Sequence, residues 1–200
     1  MSAREEILRR IRAAAVPPAG DVPRGYLREL PGDRAAVVEL FAERVGEYGA
    51  TVLRGPSAAE LVAAALDGVR SVVVPEGLPA AWLEGYPGAV RADAPPLSAT
   101  ELDGTDAVLT VCATAVAESG TLVLDAGPGQ GRRAATLLPD LHVCVVREPQ
   151  IHSALPGALA VLDPRRPLTF ISGPSATADI EMIRVKGVHG PRRLTVVITP

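Results

Sequence analysis

Three stretches, "SVVV" (71–74), "LHVCVV" (141–146) and "LTVVI" (194–198), are apolar almost throughout rather than at alternate positions. A strand with one wet face alternates apolar and polar residues, whereas a strand buried on both faces does not. Burial on both faces requires helices above and below, so these runs point to a mostly parallel sheet inside an α/β domain. The residues between the runs agree. Val37, Val38, Leu40, Phe41, Val45 and Tyr48 recur at helical spacing after Gly32–Asp33, and Gly49 is placed to end that helix before the strand "ATVLR". A helix is expected over Ala58–Leu66, a short one in "LPAAWLEGY", and an irregular connection in "RADAPPLSATELDGT".

From Asp106 the pattern changes. "AVLTVCATAVA" and "TLVLDAG" are extended stretches parted only by Glu118–Gly120, which predicts an antiparallel hairpin. Beyond it the spacing predicts a loop and helix in "GPGQGRRAATLLP", a helix over Pro149–Leu162, the strand "LTFISG", a helix over Ser175–Val185, and a closing strand "RLTVVIT". The expected fold is three-layer α/β/α with a mostly parallel sheet and one antiparallel hairpin.

Ser2 and Glu5 form an S-x-x-E capping box ahead of Ile7, Leu8 and Ile11, so the chain opens with an amphipathic helix. "PPAGDVPRG" cannot continue it. The expected division is a helical arm over 1–16, a linker over 17–32 and an α/β domain over 33–200. The arm either folds back onto its own domain or contacts a partner.

Composition removes several function classes. A net charge of −3 gives no electrostatic footprint for nucleic acid or anionic membrane. The charged opening "MSAREEILRRIRAAA" lacks a signal peptide's apolar centre, and no apolar run reaches the roughly 18 residues of a spanning helix. A cytoplasmic protein without membrane insertion is expected. Cys112 and Cys144 lie in separate apolar runs, with no CxxC or Cys/His cluster to hold an iron–sulfur cluster or structural zinc. Lys186 is the sole lysine, which limits amine-based chemistry to one candidate.

Four stretches carry possible chemistry. In "LTFISGPSATADIE" a strand runs into Gly173, Ser175 as N-cap, Thr177 and Asp179, and a helix N-terminus there would offer N–H groups to a carboxylate or phosphate. "GPGQGRR" has alternating glycines before Arg132 and Arg133, a loop that can approach an anion closely. "VKGVHGP" sets His189 in a turn, where imidazole can act as acid or base. His142 opens a strand and His152 falls in the expected helix, neither with a partner at metal-ligand spacing. No Walker loop, G-x-G-x-x-G or G-x-S-x-G elbow occurs. "AESGT" interrupts the hairpin with Glu118, Ser119, Gly120 and Thr121, a carboxylate and two hydroxyls held in a tight turn.

Taken in order, "AESGTLVL", "LLPDLHVCVV", "TFISGPSATADIE" and "GVHGPRRLTVVI" resemble the lactate-utilization protein C family, the LUD domain, and "SAREEILRRIRAA" is similar to that family's opening. The family commonly has arginine where this chain has Ala176. The resemblance implies a NagB/RpiA/CoA-transferase-like fold. It also implies a role in oxidising L-lactate to pyruvate beside partner proteins that carry the iron–sulfur clusters, with no cofactor bound by this chain. A non-redox subunit for substrate binding or assembly is the consistent expectation, its ligand a small carboxylate or phosphorylated compound. Class I CoA-transferases of the same fold use a loop glutamate as nucleophile, and AESGT loosely resembles their Glu-Asn-Gly signature. Glu118 is thus the candidate catalytic residue of an alternative, stand-alone enzyme of CoA-transferase or sugar-phosphate-isomerase type.

Overall fold

The computed structural model describes residues 2–14, 20–21, 23, 25–27, 29–177, 185–186 and 189–200. Helix α1 (Ala3–Ala13) starts on the expected capping box, with Ser2 Oγ accepting from Glu5 N–H and the Glu5 carboxylate accepting from Ser2 N–H. It buries none of its residues, and Ile7 and Ile11 lie exposed. The end of the linker is tied down: Leu30 N–H donates to Ser153 Oγ at 2.6 Å, and Glu29 accepts from His152 and Ser153.

Helix α2 (Arg34–Glu47) is capped by Asp33, whose carboxylate accepts from Ala36 N–H, and it buries Val38, Phe41 and Val45. Then follow β1 (Thr51–Arg54), α3 (Ala58–Ala65), β2 (Ser71–Val74), a 3-10 turn at Ala80–Leu83, β3 (Ala89–Ala92), α4 (Ala99–Asp103) and β4 (Ala107–Val111). Next come β5 (Thr114–Val116), β6 (Thr121–Leu124), β7 (Leu141–Arg147), a 3-10 turn at Glu148–Gln150, β8 (Ile151–His152), α5 (Leu155–Ala160) and β9 (Thr169–Ile171). The described chain closes with β10 (Ala176–Thr177), β11 (Val185–Lys186) and β12 (Arg193–Thr199).

The main sheet has order β1-β12-β7-β4-β2-β3, with every neighbouring pair parallel. The apolar runs at 71–74, 141–146 and 194–198 form its interior, as both-face burial requires. On one face Val143, Val145 and Val197 pack with Val62 of α3 and Leu66 just after it. On the other, Cys144, Val146, Val196 and Ile198 meet α2 and a second, four-stranded sheet of order β8-β5-β6-β9. The domain is therefore three-layered, and one outer layer is itself part sheet. No helix among the described residues is long and apolar enough to cross a membrane.

The hairpin forms as expected, β5 pairing antiparallel with β6, but it belongs to the second sheet because the chain leaves the main one at Cys112–Ala113. Other elements differ from expectation. The connection before Thr105 contains β3 and α4, the latter started by a Ser98–Glu101 capping box. Residues 133–137 are turns, not a helix. In Pro149–Leu162 only Leu155–Ala160 is α-helical, because Ile151–His152 is drawn into β8 alongside β5. Where a helix from Ser175 is expected, Ala176–Thr177 instead pairs antiparallel with Val185–Lys186. Residues 178–184 of that expectation lie outside the described residues.

Candidate functional site

AESGT is wedged between three elements. Ala117 N–H donates to His152 O at 2.8 Å and Glu118 N–H to Ser153 O at 3.1 Å, which fixes the turn to β8 and the residue after it. Gly120 has φ +58°, and a Cβ there would lie 2.8 Å from backbone atoms of Arg44 and Val45, so the turn abuts α2 with no room for a side chain. Thr121 Oγ1 lies 2.8 Å from Ser119 Oγ and 2.7 Å from Ser172 Oγ. These bonds join AESGT to the start of the SGPS turn, two motifs that are distant in the chain. Glu118 is exposed, and its carboxylate makes no hydrogen bond or ion pair among the described residues.

Beside that junction is a cavity of about 170 Å³ lined by Arg133, Thr136, His142, residues 170–175, Pro191 and Leu194. The SGPS turn forms its wall. Gly173 (φ +95°) packs where a Cβ would sit 2.6 Å from Tyr48 Cβ, and Ser175 bonds through N–H to Pro191 O and through Oγ to His189 N–H. Ser175 therefore ties two loops together rather than capping a helix.

His142 is 2% exposed, and its Nε2 lies 2.7 Å from Thr110 Oγ1 across β4 and β7. Burial, with a smaller contribution from the Arg133 guanidinium, lowers its pKa to about 4, so the ring is neutral near pH 7. No buried side-chain nitrogen or oxygen among the described residues is without a hydrogen-bond partner. Arg133 is exposed and makes no ion pair among the described residues.

Its neighbour Arg132 is occupied otherwise. Its guanidinium donates to both oxygens of Asp93 at 2.8 and 3.0 Å and also to Leu97 O. Burial opposes ionisation of Asp93, whose side chain is 6% exposed, but Arg132 and the Leu97 N–H overcome that and hold its carboxyl below the usual range. The GPGQG loop is likewise built into the fold, Gly129 accepting from Val111 N–H and donating to Glu76 O. These contacts lie at the carboxyl ends of β4 and β2.

Of the residues singled out from sequence, Gly173 and Ser175 line the cavity, and Ser119 and Thr121 reach it through Ser172. Glu118, Gly120 and Arg132 do not line it. His189 lines a neighbouring surface hollow with Leu137, Pro139 and Arg192. Thr177 lies on β10, and Asp179 is outside the described residues. Arg133, named in the sequence beside Arg132 as a possible anion clamp, lines the cavity, and so does His142, for which no functional role was read from sequence. The available signal was a histidine inside an otherwise apolar strand, since a polar ring there needs a partner.

The two cysteines, distant in the chain, meet on one face of the sheet. The Cys144 thiol beside it, together with burial, pushes the Cys112 thiol up. Two core thiols do not supply the four thiolates of an iron–sulfur cluster. No group of three or more His, Cys, Asp or Glu among the described residues is arranged to hold a metal.

With this geometry in place, likeness to known proteins becomes informative. The LUD domain family matches residues 24–199. Lactate utilization protein C of Deinococcus radiodurans is 47% identical over 194 residues, covering 94% of this chain and 87% of that protein. Two proteins of the same name match in part. The one from Geobacillus sp. is 36% identical over 42% of this chain and 37% of its own length. That from Halalkalibacterium halodurans is 41% identical over 42% and 39%. The crystal structure of a DUF162 family protein from Deinococcus radiodurans superposes with a TM-score of 0.73 at 41% identity, over 85% of this chain and 100% of that one. The match spans both AESGT and SGPS and nearly the whole domain, so the chain belongs to the LUD domain family.

Proposed function

We propose that this protein works in lactate utilization as a non-redox subunit of an iron–sulfur-dependent system that oxidises L-lactate to pyruvate, serving substrate binding or assembly. The observation that carries this reading is the 47% identity to a lactate utilization protein C along 94% of the chain. Cysteine chemistry supports the non-redox part: both thiols are packed in the core rather than presented as ligands. Electrons from lactate then pass to clusters on partner proteins, and this chain positions substrate or holds the partners together.

Reconstitution tests the proposal. Cluster-bearing partners purified with and without this chain are assayed for lactate-dependent dye reduction, with co-purification scored in parallel. Reduction that needs this chain, and a complex that contains it, are the expected results. Full activity from the partners alone would overturn the reading.

A further inference from the structure

The end of the linker and the AESGT turn are joined through one very short stretch of chain. Strand β8 is only Ile151–His152, and among the described residues its one strand neighbour is β5, with Ala115 opposite Ile151 and Val116 opposite His152. On the linker side, Glu29 takes Ser153 N–H at 2.9 Å, the Ser153 hydroxyl, and His152 Nδ1 at 2.9 Å. An ionised carboxylate only accepts, so Nδ1 carries the proton in that contact. On the turn side, His152 O accepts from Ala117 N–H at 2.8 Å and Ser153 O from Glu118 N–H at 3.1 Å.

Ser153 N–H and His152 C=O belong to the same peptide unit. An anion held against an amide N–H pushes electron density onto that unit's carbonyl oxygen, which then accepts more strongly, and hydrogen bonds in series reinforce one another in this way. Glu29, the 152–153 peptide and Ala117 N–H form such a series, with a full negative charge at its head. A second branch runs through the Ser153 hydroxyl, which donates to Glu29 and accepts from Leu30 N–H at 2.6 Å, so linker and serine close on each other. Burial opposes ionisation of Glu29, but the Ser153 and His152 donors outweigh it and hold its carboxyl at about 2. The head of the series is therefore charged throughout the neutral range. At the other end the Glu118 side chain is exposed, so its carboxylate stands wherever its own backbone is held.

We propose that Glu29 and Leu30 form a latch through which the linker sets the AESGT turn. Closed, the latch locks the backbone of Ala117 and Glu118; displaced, it releases both amides and lets the Glu118 carboxylate move. Glu29 is thus a positioning residue for Glu118. A contact that draws the helical arm away from the domain is felt at the turn, and by thermodynamic reciprocity a partner that fixes AESGT tightens the linker. The coupling is a property of the chain itself and does not rest on the lactate role proposed above.

Amide hydrogen exchange, followed by NMR on the full chain, tests the latch. Glu29→Gln keeps the size of the side chain but removes its charge and one of its two acceptor oxygens. The Glu29 side chain is 52% exposed, so the substitution opens no hole in the core. Exchange at Ala117 and Glu118 is expected to rise by about tenfold in the variant, and the Ala117 amide proton to move upfield as its bond weakens. Ala113 serves as the internal control. Its N–H donates to Val123 O at the far end of the same hairpin, off the latch, and its exchange should stay within about twofold of wild type. Unchanged exchange at Ala117 and Glu118 would overturn the proposal, because the turn would then be held without the linker. An equal rise at Ala113 would overturn it as well, because that result describes general loosening of the domain rather than a latch. Since exchange is read on the isolated chain, neither outcome bears on the reconstituted dye-reduction assay.

Discussion

Gly120 shows how tightly one backbone position can be specified. Its positive φ strains any other residue, and the space a Cβ would occupy belongs to the backbone of α2, which cannot rotate away as a side chain could. Gly120→Ala is therefore expected to destabilise the fold by about 2–3 kcal/mol, read as a lower urea midpoint with an unchanged slope. Glu118, two residues earlier, faces no such constraint. Glu118→Gln should leave the unfolding midpoint within about 0.5 kcal/mol of wild type, so any loss of lactate-dependent activity would report function rather than folding. His142 carries a pH signature. Its folded pKa of about 4 lies below the unfolded value near 6.5. Above pH 6.5 neither state binds the proton and the group adds no slope. Between about pH 6.5 and 4 the unfolded chain takes up a proton that the folded chain refuses, so stability falls with pH by up to about 3 kcal/mol. Urea unfolding of wild type and His142→Gln across that range should show a shallower decline in the variant.

At the level of elements, the adjacent arginines 132 and 133 make opposite predictions. Arg132 fastens the turns after GPGQG to Asp93 beyond β3, and removing it leaves a largely buried carboxylate without its cation. Because Arg132 itself is partly exposed, Arg132→Ala should cost about 1–3 kcal/mol, less than a fully buried pair. Arg133 is exposed and makes no ion pair among the described residues, so Arg133→Ala should leave the melting temperature nearly unchanged. Sequence could not separate the two, since neither charge nor spacing says which of two neighbours turns inward. The same limit applies to β8 and α5. Pairing with β5 across the chain decides that Ile151–His152 is extended, and Pro156 then marks the first turn of a short helix. Around SGPS the Ser–Gly–Pro–Ser pattern reads equally as a helix start, but Ala176–Thr177 finds a partner in Val185–Lys186, information that resides only in the tertiary contact. The AESGT hairpin was legible, because two β-rich runs around a three-residue polar break have few alternatives.

For the molecule as a whole, the layered architecture followed from the both-face-buried runs, while the split of one outer layer into helix and small sheet did not. The strand that leaves the main sheet does so within a single apolar run, where nothing in residue type changes at Cys112. Helix α1 is another whole-chain matter: it buries nothing, so deleting residues 1–14 should leave the melting temperature within about 1–2 °C of the full chain by calorimetry.

The strand order also dictates a timetable. Among the described residues edge strand β1 has only β12 beside it, with Thr51 opposite Thr195, and β12 is also the partner of β7. During synthesis Thr51–Arg54 waits with unpaired backbone until residues 193–199 have left the ribosome, and β7 keeps one flank open for nearly as long. Such long-range parallel closure is slow and leaves apolar edges exposed meanwhile. The nascent chain's vulnerable interval therefore lasts until β12 is made, and a premature stop ahead of Arg193 should be far more harmful than deletion of residues 1–14.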